Sequence, residues 1–258
     1  HDKKVSSEVE KSHAAHDAGR FNKDLVDKAL LAPISALAGQ AREYHYSMTL
    51  PWTDSGDRLL PSKLFMAYST QIRTFKSSFD DLVRDMIVKY PTEVQAARNR
   101  LGTMYDPGDY PDVSDMKARF GIEVEFTPVP SAQDFRVDVA AEVQEELKAS
   151  VTDSVVRRQA KALQACFDRV YDVVSKIEER LSKPDAIFKD TLITNASDLC
   201  IVLDALNITN DPGLKALHKS ILEYLILPPS RLRSDPALRI LTAERATQIL
   251  ACVPRNPT

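Results

Sequence analysis

The chain has 258 residues, with 34 Lys and Arg against 37 Asp and Glu, a net charge of -3, and 43% hydrophobic and 28% charged residues. That balance excludes a disordered or fibrous chain, and a protein coated in non-specific phosphate contacts, which would be strongly basic. No apolar run reaches the roughly 18 residues of a membrane span, the three cysteines (Cys166, Cys200, Cys252) are too scattered for a disulfide framework or zinc cluster, and seven glycines are fewer than phosphate-cradling loops and doubly wound sheets use.

The chain opens His1-Asp2-Lys3-Lys4, without a methionine or an apolar signal core, and so reads as a trimmed piece of a cytoplasmic protein. Residues 1–20 are polar with a thin apolar stripe and read as a loosely held segment. The spacing of Ile34, Leu37, Ala41 and Tyr44 or His45 predicts a first helix from Ile34 to Met48. From Pro51 to Pro61 the chemistry is that of a loop, with a proline at each end, an Asp-Ser-Gly turn and the one tryptophan, Trp52.

Ser62 is placed to cap the next helix. Its apolar positions Tyr68, Ile72, Phe75, Phe79, Leu82 and Met86 alternate steps of four and three, a seam of the coiled-coil type that continues more loosely to Leu101. Pro91 is expected to kink or split the helix, and Gly102 to end it. Residues 103–121 open with turn chemistry. Ile122, Val124 and Phe126 then alternate with polar residues, as do Phe135, Val137 and Val139, which predicts a small β-hairpin. Residues 140–182 lack Gly and Pro and carry an apolar stripe from Val143 through Leu163, Cys166, Val170, Val174 and Ile177 to Leu181. About 40 residues at ~1.5 Å each make a rod of roughly 60 Å. Three shorter, more apolar helices follow: Ala186–Leu206, Leu214–Leu225, and one starting at Ser234-Asp235-Pro236.

Two long helices of equal length joined by a β segment predict that each covers the other's stripe. The expected fold is mainly α, a long antiparallel, coiled-coil-like helical hairpin over 62–183 with a β tip at about 103–139. Residues 21–61 and 184–258 are expected to form a compact helical head.

The sequence offers little for catalysis. His13-x-x-His16 lacks a third ligand and reads as two solvated histidines; Glu142, Glu145 and Glu146 suit the N-terminal turn of a helix. The cysteines fall on apolar faces as small hydrophobes, and no nucleotide-binding motif is present. No catalytic residue, metal ligand or cofactor is assigned. Two binding features remain. From Lys215 to Thr258, seven Lys and Arg, among them Arg231, Arg233, Arg239 and Arg245, face three acids, and Arg157, Arg158 and Lys161 form a smaller cationic cluster on the rod. The Trp52 loop, with Asp54 and Arg58, reads either as a plug between head and rod or as a partner-binding hot spot, since Trp and Arg are common anchors.

Several stretches carry a resemblance: Tyr44-His45-Tyr46, Leu50-Pro51-Trp52-Thr53-Asp54, Gly56, Arg58-Leu59-Leu60-Pro61, Tyr110-Pro111, Phe120, Val129-Pro130 and Asp134-Phe135-Arg136-Val137. Across residues 2–137 the chain resembles a family of uncharacterised bacteriophage and plasmid proteins, a domain of unknown function whose genes neighbour a MoxR-type AAA ATPase and a CobT-like von Willebrand A protein. That family has no established catalytic residues to carry over. The resemblance implies a phage-borne accessory to an ATP-driven remodelling system.

Two functions are thus expected. The first is a non-catalytic interaction or scaffold protein, an adaptor for the ATPase and its von Willebrand A partner, with self-association through the hairpin compatible. The alternative is a nucleic-acid-binding recombination or replication factor using the arginine clusters, which the net charge disfavours.

Overall fold

In the computed structural model, residues 23–130, 141–183 and 185–254 are described. The elements are α1 (Lys28–Met48), β1 (Leu50–Pro51), β2 (Arg58–Leu59), α2 (Phe65–Leu101), α3 (Val113–Ala118), α4 (Ala141–Leu181), α5 (Thr191–Leu206), α6 (Pro212–Tyr224), α7 (Pro229–Ser234) and α8 (Pro236–Ala251). The fold is mainly α, as the periodicities predict. No helix among the described residues is long and apolar enough to cross a membrane.

The chain divides into two compact units, and not along the expected head–hairpin boundary. The first holds the residues up to Glu43 and Ser69–Glu125. Its core is Ile34 of α1 against Phe79, Val83, Met86 and Tyr90 of α2, with Leu30, Leu37, Tyr110, Phe120 and Ile122 packed around. The α2 seam is real, but α1 and the 110–122 segment cover it. Pro91 lies inside α2 without splitting it, and Gly102 ends the helix with φ +53°, a conformation that glycine adopts without strain. A 3-10 turn, Ser62–Leu64, precedes α2, and its N-cap is Pro61 with no side-chain hydrogen bond, so Ser62 is not the cap.

The second unit holds Tyr44–Tyr68 and the chain from Phe126 onward. Its core runs along α4 through Ala162, Cys166, Phe167, Val170, Val174, Ile177 and Leu181. Against it pack Leu199, Leu203 and Leu206 of α5, Leu214, Leu217 and Ile221 of α6, Leu232 of α7, and Ala246 and Ile249 of α8. The α4 stripe is therefore buried by the C-terminal helices, in place of the expected seam-on-seam pairing. A stripe records that a face needs cover; it does not record which of several equally apolar faces provides it. The start of α8 behaves as predicted: Asp235 accepts from the Leu238 N–H at 3.0 Å ahead of Pro236. Asp211 caps α6 in the same way, accepting from the Leu214 N–H at 2.8 Å. Not every apolar residue of these helices joins the core: Ile201 and Leu222 are exposed.

The β structure also differs. Ile122–Phe126 forms no strand, and residues 131–140, which include the other expected strand, lie outside the described residues, as does the 1–20 segment. Among the described residues the one sheet is a two-residue antiparallel pair inside the stretch read as a loop, with Leu50 opposite Leu59 and Pro51 opposite Arg58. Leu50 is fully buried in the α4 core and anchors the hairpin there.

Candidate interaction site

The 49–59 hairpin is closed by its own polar groups. The Trp52 N–H donates to the Asp57 carbonyl at 3.0 Å, and Thr53 Oγ1 donates to Asp57 Oδ2 at 2.8 Å. Gly56 turns the chain with φ +106°.

Cations of α4 and of the hairpin itself then hold it. Arg158, Lys161 and Arg169 share a stripe of α4, at helical spacings of three and eight residues. The Arg158 guanidinium lies 5.9 Å from the centroid of the Trp52 ring, and Lys161 Nζ is 2.5 Å from Asp54 Oδ1. Arg169 caps the C-terminus of α1, donating to the carbonyls of Ser47 at 3.1 Å, Tyr46 at 2.8 Å and Thr49 at 2.5 Å. From the opposite side, Arg58 donates to Thr49 Oγ1 at 2.7 Å and to the Thr49 carbonyl at 3.0 Å. Burial depresses the pKa of both guanidinium groups, and Arg169 adds to the effect on Arg58; both remain cations against the negative end of the α1 dipole.

The two sets of expected binding residues therefore meet each other. Trp52 is only 7% exposed and fills the seat between hairpin and α4, the plug reading of this residue. Asp54 is exposed and lies against Lys161, whose hydrogen bond and charge lower its pKa. Arg58 is turned into the hairpin. Arg157 is exposed.

The C-terminal arginines lie elsewhere on the same unit. Arg239 is buried and caps α4, donating to the carbonyls of Leu181 at 3.3 Å, Arg180 at 2.9 Å, Lys183 at 2.6 Å and Ala186 at 2.7 Å. Arg233 pairs with Asp190 and lies 4.9 Å from the Phe188 centroid; Arg245 lies 4.8 Å from that of Tyr224 and bonds Gln248 at 3.3 Å. Arg231 is exposed. Along α4, residues 158 and 181 are separated by about 35 Å at ~1.5 Å per residue, so the two basic clusters do not merge at this helix.

A surface that the sequence reading passed over lies beside the hairpin. Phe65 and Phe126 meet edge to face at 5.3 Å, and Phe126 meets Tyr68 at 6.1 Å. Tyr68 stacks on Tyr44 at 6.1 Å and bonds His45 Nδ1 through its hydroxyl at 2.8 Å. His45 leads at 5.6 Å to Tyr46, whose ring carries the Arg58 guanidinium 4.6 Å from its centroid. Burial, then the Arg58 charge, lowers the His45 pKa; burial raises that of Tyr68. Tyr68 is buried at the centre, while Tyr46 is 50%, Phe65 44%, Phe126 53% and the neighbouring Met66 70% exposed. Aromatic rings, Met and Arg are the residue types enriched at protein interfaces. The signal in the sequence was five aromatics at 44, 46, 65, 68 and 126, too far apart to be joined by periodicity.

Burial pushes the Cys166 and Cys200 thiols up to about 11, while Cys252 is exposed rather than on the expected apolar face. The first unit holds a cleft of about 290 Å³ near Lys23, Tyr90, Asp109, Tyr110 and Arg119. Several of its polar groups are engaged with one another: Lys23 with Asp109 and the Met104 carbonyl, Tyr110 with the Leu25 carbonyl at 2.9 Å, and Tyr90 with the Pro111 carbonyl at 3.1 Å.

Compared with protein-family models, with curated proteins and with solved structures, the chain finds no match in any of the three.

Proposed function

We propose that this chain works by binding other proteins and not by catalysis. The observation that carries the reading is the run of ring contacts from exposed Phe65 and Phe126 through buried Tyr68 and then His45 to exposed Tyr46. Exposed apolar patches with aromatic and arginine chemistry are where protein partners anchor. The resemblance of residues 2–137 to phage and plasmid proteins supplies a context. In that context the chain is an adaptor, in the cytoplasm of an infected bacterium, between a MoxR-type AAA ATPase and a von Willebrand A partner.

The nucleic-acid reading draws less support. Arg158 and Lys161 hold the hairpin, and Arg239 is spent on helix carbonyls, whereas phosphate binding needs a set of solvated cations.

The test is affinity capture from phage-infected lysate at about 150 mM salt, a physiological ionic strength, with nuclease treatment and mass spectrometry. Recovery of an AAA ATPase or von Willebrand A protein that survives nuclease is the expected outcome. Recovery of nucleic acid and replication proteins alone, lost on nuclease treatment, overturns it.

A further inference from the structure

We draw no further inference here: the strongest candidate, the cleft of the first unit lined by Lys23, Leu31, Tyr90, Tyr110 and Met116, carries none because Lys23 is engaged with Asp109 and both tyrosine hydroxyls with main-chain carbonyls, and exposed Arg119 at its edge does not by itself fix the class of ligand.

Discussion

The Arg169 guanidinium and the Thr49 carbonyl oxygen are 2.5 Å apart in space and 120 residues apart in the chain. This contact ties the middle of α4 to the end of α1, and Arg58 donates to the same oxygen from the other side. Replacing Arg169 with Ala removes donors to three carbonyls at the helix end, of which Arg58 reaches only that of Thr49. With hydrogen bonds to charged groups at about 1.5–3 kcal/mol each and partial rescue by water, a loss of about 3 kcal/mol is expected. Urea unfolding should show a lower midpoint at similar slope, and Arg169→Lys should recover only part, because one ammonium does not reproduce the planar fork.

Arg239 does the same for α4, with four carbonyl acceptors and 9% exposure. Arg239→Ala is expected to cost about 3 kcal/mol by the same reasoning. Exposed Arg231, on the adjoining helix, is the control, and its alanine variant should stay within about 0.5 kcal/mol of the parent. Equal effects of the two would show that Arg239 is not a cap.

Trp52 is the one tryptophan, so its fluorescence reports this seat alone. Emission should be blue-shifted and shielded from acrylamide in the native chain, and red-shifted on unfolding. Trp52→Ala leaves a hole between hairpin and α4 and should cost about 3–5 kcal/mol. Asp54→Asn breaks only the exposed pair with Lys161 and should leave the emission of the native state unchanged.

Burial, then the Arg58 charge, lowers the pKa of His45 in the fold. In the unfolded chain it titrates near its ordinary value of about 6.5, so the unfolded state binds more protons just below that pH. Its contribution is therefore complete above about pH 6.5 and is lost as the pH falls through and below that value. His45→Gln, which keeps a hydrogen-bonding side chain facing Tyr68, should flatten that part of the stability curve. An unchanged slope between about pH 5 and 7 would place His45 in solvent.

Of the three free cysteines, Cys252 is exposed while Cys166 and Cys200 are buried. Burial pushes both buried thiols up to about 11. A thiol reagent at neutral pH should titrate Cys252 rapidly in the native chain and the other two only after denaturation.

The sequence by itself determined the local outcomes. The absence of glycine and proline through 141–182 and the steps of three and four dictate one long helix, because backbone propensity and an amphipathic stripe are both read within a turn or two. Gly102, Asp235 and Pro236 mark helix ends for equally local reasons: a left-handed φ that only glycine takes freely, and a carboxylate that meets the first free N–H groups. Pairing was decided only by the tertiary structure. The α2 seam took α1 and the α4 stripe took α5, α6, α7 and α8, because hydrophobic burial is non-directional and any apolar face of suitable shape satisfies it. The same holds for the charges. Arg169 and Arg239 carry no mark in the sequence that separates them from solvated arginines; their role came into being when folding brought the ends of α1 and α4 within reach of a guanidinium. The aromatic face arose likewise, assembled from Tyr46, Phe65 and Phe126 across a span of chain that no periodicity bridges.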